Sequence, residues 1–224
     1  MNKRLTRIAI VSVACSLLIL LLTAAIMPTY ADTHSADAMW VDPGSISVTP
    51  SMVGQRFNAT IWLNMTQDIY GWQTKLFFNY TLFNCTNAGY TNGITSSYFK
   101  GHTTTAPGAA IDNTRGTLVM YESCLGSTDF IPGPHNDSLI WAEFNIVSVP
   151  ANLNTDLNIS REAGISSSAN TWVVASDGVT YLTFGAYDSV VSPEFSTILL
   201  LVALMTASSG AIVASRKMSR KKLK

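Results

Sequence analysis

The stretch that decides the fold is Phe57-Asn58-Ala59-Thr60-Ile61-Trp62-Leu63-Asn64-Met65-Thr66. Apolar side chains recur at every second position, and the residues between them are mostly polar. This period of two predicts a β-strand with one buried face, because successive side chains of a strand point to opposite sides. After a turn at Gln67-Asp68, residues 72–80 repeat the pattern, with Trp72, Leu76 and Phe78 inward and Gln73, Lys75 and Asn79 outward. We expect the two segments to pair as antiparallel neighbours.

Seven further segments have the alternation or composition of strands: residues 45–49, 117–121, 139–147, 156–160, 171–175, 179–184 and 187–191. Between them lie short clusters of Gly, Pro and Asn, and no stretch of this region has a helical period. Many short strands separated by turn residues are typical of an all-β sandwich. We therefore predict a single antiparallel sandwich over residues 32–192.

Both ends of the chain predict export to a membrane surface. Residues 1–31 combine Lys3, Arg4 and Arg7 with an apolar stretch, which is typical of a signal peptide, although an uncleaved anchor is the alternative. At the other end, no side chain in residues 195–215 is charged, and six basic residues occupy the last nine positions. This pattern predicts a transmembrane helix with a cytoplasmic basic tail and an extracellular domain before it.

The motif Pro193-Glu194-Phe195, the apolar run and the basic tail also resemble the PEF-CTERM sorting signal of archaeal surface proteins. The resemblance covers residues 193–224 and implies processing by an archaeosortase, which leaves a lipid-anchored protein. An ordinary C-terminal anchor is the alternative. In either case we expect the protein on the extracellular face of the cell membrane.

The region between the two ends is acidic. All fourteen carboxylates lie in residues 32–194 with only five basic residues, a net charge of −9. Such a surface repels phosphate backbones, so nucleic acid is excluded as a partner class.

Six Asn-x-Ser/Thr sequons lie in or between the predicted strands: Asn58, Asn64, Asn79, Asn84, Asn136 and Asn158. Several fall on outward positions, where a bulky glycan has room. We expect a glycoprotein, and the alternative is a Thr-rich β protein without glycans.

Two cysteines fall in the extracellular region, Cys85 and Cys124. In an oxidising exterior they predict one disulfide, and two reduced core cysteines are the alternative.

Residues 57–83 resemble the early strands of cohesin domains, in which Gly and an aromatic, here Gly71-Trp72, precede an amphipathic strand that ends in a turn. Residues 139–146 and 154–159 resemble a later pair of cohesin strands. The resemblance spans about Val41 to Val191, although Phe78-Asn79-Tyr80 replaces the usual Tyr-Asp-Pro. It implies a jelly-roll sandwich of about nine strands. Cohesins bind dockerin modules and are close in fold to carbohydrate-binding modules, but neither activity follows from a fold alone.

Catalytic patterns are missing from the sequence. His34, His102 and His135 fall in predicted loops or flanks, where solvated histidines are common, and no nucleophile elbow or paired-histidine motif accompanies them. We expect neither an enzyme nor a cofactor, although loop carboxylates leave a calcium site open.

Trp62 and Trp141 alternate with the apolar inward residues of their strands, so both are expected to point outward. This position makes them candidates for a contact surface. The expected function is a non-catalytic binding or adhesion module that takes a dockerin-like protein or a polysaccharide. A surface-coat protein that packs laterally without a soluble ligand is the alternative.

Overall fold

Strands account for most of the fold in the computed structural model, which describes residues 34–126, 128–149, 155–166 and 169–193. The described residues form thirteen strands: β1 (Ala38–Asp42), β2 (Ser45–Val48), β3 (Arg56–Met65), β4 (Ile69–Phe77), β5 (Phe83–Tyr90), β6 (Thr104–Thr105), β7 (Ala110–Asp112), β8 (Thr117–Cys124), β9 (His135–Ile146), β10 (Thr155–Leu157), β11 (Trp172–Ala175), β12 (Gly185–Tyr187) and β13 (Ser189–Pro193). Two 3₁₀ turns, Pro50–Met52 and Ser160–Glu162, are the only helical elements in these ranges.

The strands form three sheets. Sheet I has the order β12-β1-β3-β9-β5, sheet II has the order β11-β4-β8-β6 with β7 also on β8, and the small sheet III has the order β10-β13-β2. Pairing is antiparallel except for β1 with β12 and β2 with β13, which are parallel. The prediction of an all-β sandwich is confirmed. Thirteen strands replace the expected nine or so, because several are only two to five residues long.

The predicted alternation of β3 is confirmed. Ala59, Ile61, Leu63 and Met65 are at most 2% exposed, whereas Asn58 before them is exposed and Trp62 among them is half-buried. The same holds for β4, where Trp72 and Leu76 are fully buried. Local periodicity thus identifies the buried face of each strand, since every second side chain must enter the core.

The expected pairing of β3 with β4 is wrong. Strand β3 lies between β1 and β9 in sheet I, and β4 lies between β11 and β8 in sheet II. The linker is held by other parts of the chain: Asp37 accepts hydrogen bonds from the amide and hydroxyl of Thr66, and Asp68 accepts one from the amide of Gly133. The chain therefore crosses from one sheet to the other, and the two apolar faces are buried by facing each other.

The core between sheets I and II is rich in aromatic rings. Phe144 of β9 stacks on Phe57 with ring centroids 5.4 Å apart and meets Phe78 edge-on at 5.2 Å. Trp72 contacts Tyr90 of β5 edge-to-face at 6.3 Å. These contacts join the inner faces of the two sheets, where aromatic pairs add to the stabilisation from area burial.

Other strand predictions differ in detail. Residues 179–184 form no strand in the described part of the chain, and Tyr181 makes only an isolated bridge to Val174. The carboxylate of Asp177 accepts hydrogen bonds from the amides of Val179 and Thr180, which folds this segment into a turn. Strands β1, β5, β6 and β7 were not predicted from the sequence.

The structure does not join Cys85 to Cys124 as expected, since both are buried free thiols. The amide of Cys85 donates a hydrogen bond to Asn113, in the turn before β8, whereas Cys124 is the last residue of that strand. Seven residue steps separate Thr117 from Cys124, about 23 Å at the rise of an extended strand. A disulfide needs Cα atoms within about 7 Å, so the two cysteines lie too far apart.

The predicted signal peptide and the predicted transmembrane helix lie outside the described residues. So do Glu194 and Phe195 of the sorting motif, whereas Pro193 is the last residue of β13. Within the described ranges, no helix has the length and apolar character needed to cross a membrane.

Candidate functional site

The outer face of sheet I carries the two tryptophans predicted as a contact surface. Trp62 and Trp141 both point outward and are half-buried. Trp62 stacks on Trp40 of β1, with ring centroids 6.1 Å apart, and Trp40 also stacks on His34 at 4.5 Å. Trp141 covers Gly89, where an added Cβ would lie only 3.2 Å from the indole. The tryptophans of this face are therefore largely engaged with their own neighbours.

Four of the six sequons lie on this same outer face. Asn58 and Asn64 belong to β3, Asn84 to β5 and Asn136 to β9, and Asn64 lies directly opposite Asn136 in the strand register. The remaining two, Asn79 and Asn158, follow β4 and β10. No sequon falls within β4, β6, β7, β8 or β11, the strands of sheet II.

The outer face of sheet II carries aromatic, aliphatic and polar side chains in adjacent rows. Gln73 of β4 lies opposite Trp172 of β11 on one side and Tyr121 of β8 on the other. In the next row Lys75 lies opposite Val119. Tyr121 is 39% exposed, and the other four are half-buried. We call this set, together with Phe77, the sheet II face.

One end of the sheet II face is basic. The Lys75 ammonium and the Arg161 guanidinium each lie 4.8 Å from the centroid of the Phe77 ring, a cation–π distance. Arg115 lines a cleft together with Phe77 and Arg161. Lys75 also forms an ion pair of 3.2 Å with Glu162. Two basic residues thus lie against one aromatic ring, and a third lines a cleft beside it that also contains the carboxylate of Asp156.

A second group of functional side chains lies at the far end of β8. His102 Nδ1 is 2.7 Å from Asp129 Oδ1, and a polar atom of each lies within 4.8 Å of the Cys124 Sγ and of the other. His102 is thus not the solvated loop histidine that the sequence predicted. His34 and His135 likewise contact aromatic rings, those of Trp40 and Tyr98.

The arrangement of cysteine, histidine and aspartate invites comparison with a nucleophilic triad. The thiol, however, is fully buried, and this burial, followed by the charges of Asp129 and Glu122, raises the pKa of Cys124 to about 12. A nucleophilic cysteine needs an accessible thiolate with a lowered pKa. The environment of Cys124 therefore disfavours covalent catalysis.

Glu122 of β8 is a buried carboxylate that was not predicted from the sequence. It accepts hydrogen bonds from the amide and hydroxyl of Ser96 and from the hydroxyl of Thr104, and burial raises its pKa. The bonds attach the loop before β6 to the centre of sheet II. The alternation of β8 could have predicted its burial, because Glu122 follows Leu118 and Met120 at every second position and therefore points to the same inner face.

Comparison of folds shows what this arrangement resembles. A type I cohesin from Clostridium thermocellum, solved in a cohesin–dockerin complex, aligns with a TM-score of 0.50 and 7% sequence identity over 70% of this chain and 100% of its own. The type II cohesin A11 from Bacteroides cellulosolvens aligns with a TM-score of 0.50 and 12% identity over 70% and 99%. The sandwich has a cohesin-like fold. No protein-family model and no curated protein matches the sequence, and likeness at this level of identity concerns the fold alone.

Proposed function

We propose that this chain is a non-catalytic binding module that presents the sheet II face to a protein partner at the cell surface. The observation that carries the proposal is the separation of the two outer faces. Four sequons lie on the outer face of sheet I, whereas the strands of sheet II have none. Glycans on sheet I would cover that side, whereas the two sequons beside the sheet II face, Asn79 and Asn158, lie at its basic end and leave the row of Trp172, Gln73 and Tyr121 free for contact.

The side chains of the sheet II face suit a protein interface. Interface centres are enriched in Tyr, Trp, Phe and Arg and depleted in acidic residues. Trp172, Tyr121 and Phe77 supply the aromatic anchors, and Lys75 and Arg161 supply charge at one end. The partner we propose is therefore a protein with an apolar contact surface and an acidic edge that reaches the basic end of this face.

The cohesin-like fold adds an analogy. The Clostridium thermocellum cohesin was solved with a dockerin bound, and a dockerin-like module is the first partner class to test here. The fold alone does not establish this partner.

A polysaccharide partner on the outer face of sheet I is the second candidate, favoured by the outward Trp62 and Trp141. Sugar rings stack on free aromatic faces, but Trp62 already stacks on Trp40. Glycans at Asn58 and Asn64, on the same strand as Trp62, would also hinder access. These two observations rank the polysaccharide second.

Display at the membrane completes the proposal. The signal peptide, the C-terminal span and the sorting motif that begins at Pro193 would place the domain on the extracellular face, as a single-pass or lipid-anchored protein. A structural coat protein that packs against its own copies is the alternative.

Glycan occupancy is expected to differ among the sequons. Asn58, Asn79 and Asn136 are exposed, so we expect glycans on them. Asn158 is half-buried, its Nδ2 donates a hydrogen bond of 2.7 Å to Asp188, and its Oδ1 accepts one from the Arg161 amide. An N-linked glycan is attached to Nδ2 and would disturb this hydrogen bond, so we expect Asn158 to be unmodified. Glycopeptide mass spectrometry of protein from native cells measures each position. Occupied Asn158, or bare Asn58 and Asn136, would contradict this expectation.

The proposed function is tested with two matched variants of the full-length protein. Tyr121→Arg changes the sheet II face, and Trp62→Arg changes the outer face of sheet I; both replace an outward aromatic residue on a central strand. Immobilised wild type and variants are exposed to surface and secreted fractions of the native cells, and captured proteins and polysaccharides are quantified. Circular dichroism melting checks that each variant is folded.

We expect Tyr121→Arg to lose the captured protein by about thirtyfold or more, the effect of removing an interface hot spot of about 2 kcal/mol. Trp62→Arg should retain it. Loss only with Trp62→Arg, or capture of a polysaccharide in place of a protein, would favour the sheet I alternative. Recovery of the bait protein alone would favour the coat.

A further inference from the structure

The strand register holds a histidine and a cysteine side by side at one end of sheet II. Cys124, the last residue of β8, pairs with Thr104 of β6, and His102 precedes Thr104 by two residues. The amide of Leu125 donates to the carbonyl of Thr103 at 2.8 Å, which continues the ladder beyond Cys124. Two adjacent backbone segments thus fix the positions from which the thiol and the imidazole extend.

Asp129 completes the group from the loop that follows β8. Its carboxylate lies 2.7 Å from His102 Nδ1, and one polar atom from each of the three residues lies within 4.8 Å of the others. Ligands around a tetrahedral zinc ion are roughly 3.5 Å apart, given metal–ligand bonds of about 2.0–2.3 Å. Around such an ion the contact between His102 and Asp129 would open from 2.7 Å to about 3.5 Å, and the Cys124 Sγ, now within 4.8 Å of both, would move closer.

We propose that His102, Cys124 and Asp129 form a metal site for a zinc-class divalent ion, with a fourth position open to water. Imidazole, thiolate and carboxylate are the ligand types that zinc takes in proteins, and three protein ligands with one open position are a common arrangement. A thiolate ligand disfavours calcium and magnesium, which take oxygen ligands.

The surroundings of the cluster favour a cation. Asp129 belongs to the cluster and Glu122 lies two residues before Cys124 on the same buried face of β8, so carboxylates on two sides attract a divalent ion to this place. The side chains of His102 and Asp129 are 30% and 32% exposed, which leaves a path from solvent. On binding, the thiol proton leaves for solvent, the neutral imidazole donates a lone pair, and no redox change occurs.

The consequence for the domain is a cross-link. The ion would join the segment before β6, the end of β8 and the following loop, which no disulfide holds in the described chain. Ligands that bind only the folded state raise its stability by mass action. This inference is independent of the partner proposed for the sheet II face.

The test is a titration of the full-length protein with Co²⁺ as a spectroscopic probe, followed by displacement with Zn²⁺. A thiolate bound to Co²⁺ gives a near-ultraviolet charge-transfer band. We expect the band in wild type, its loss in Cys124→Ala, and its retention in the matched control Cys85→Ala, since Cys85 is a buried free thiol outside the cluster. Absence of the band in wild type, or its survival in Cys124→Ala, would overturn the site.

Two variants of half-exposed ligands cover the case in which Cys124→Ala does not fold. His102→Gln and Asp129→Asn are each expected to weaken Zn²⁺ binding at least about tenfold, as measured by calorimetry. Zn²⁺ should raise the melting temperature of wild type more than that of His102→Gln at the same concentration. An equal rise in both proteins would mean adventitious binding elsewhere and would contradict the proposal.

Discussion

Replacing Trp72 with alanine is expected to lower the free energy of unfolding by about 3–5 kcal/mol, the usual cost of removing a large buried aromatic side chain. Trp72 is 0% exposed, and it links the inner face of β4 to Tyr90 of sheet I. Its removal takes away apolar contact area and leaves a cavity between the two sheets. Denaturant unfolding followed by far-ultraviolet circular dichroism measures the change.

Trp172→Ala is the matched control for this prediction. Trp172 lies on the same sheet, but it points outward and is half-buried, with Tyr181 as its edge-to-face neighbour. We expect it to cost no more than about 1.5 kcal/mol, because a half-exposed side chain gives up less buried area. Equal losses for the two variants would contradict the assignment of Trp72 to the core and of Trp172 to the outer face.

Replacing Gly116 with alanine is expected to destabilise the domain by about 3 kcal/mol or more. Gly116 has φ +66°, and an added Cβ would lie 2.0 Å from the carbonyl oxygen of Phe78. The same backbone contact includes a hydrogen bond of 2.9 Å from the Phe78 amide to the Gly116 carbonyl. Alanine at this position has two costs. The left-handed conformation costs an L-residue about 1–2 kcal/mol, and the clash of the methyl group with the backbone costs about 1–3 kcal/mol more.

Gly54→Ala separates these two contributions. Gly54 also has a positive φ, +85°, but nothing lies within 4 Å of the place its Cβ would take. Only the conformational cost of about 1–2 kcal/mol applies to Gly54→Ala. Chemical denaturation of both variants gives the difference directly. A Gly116→Ala variant as stable as Gly54→Ala would mean that the turn before β8 does not approach β4 as closely as described.

The buried face of each strand was predictable from the sequence, but the neighbours of each strand were not. Alternation in β3 reports which side chains enter the core, because a strand has a period of two. It does not say whether the next apolar face along the chain lies beside the first or opposite it. The parallel pairing of β1 with β12 joins segments that are far apart in the chain, and no local pattern reports such a pairing.

The candidate site was predictable only in part. Parity placed Trp62 and Trp141 outward, as observed, but it could not show that Trp172, Gln73 and Tyr121 form one row, since they come from three distant segments. The disulfide was predicted because cysteines oxidise outside the cell, and that argument says nothing about the distance between Cys85 and Cys124. The neighbours of Cys124 depend on the β6–β8 register and on a loop, and neither is visible in the sequence.

Hydroxyl-radical footprinting of the full-length protein, alone and with its captured protein partner, tests the central claim most directly. Oxidation of aromatic side chains reports their access to solvent, and the two outer faces carry separate reporters. We predict that the partner protects Tyr121, Phe77 and Trp172 while oxidation of Trp62 and Trp141 is unchanged. Protection of Trp62 and Trp141 with unchanged oxidation of Tyr121 would contradict the assignment of the sheet II face as the binding surface.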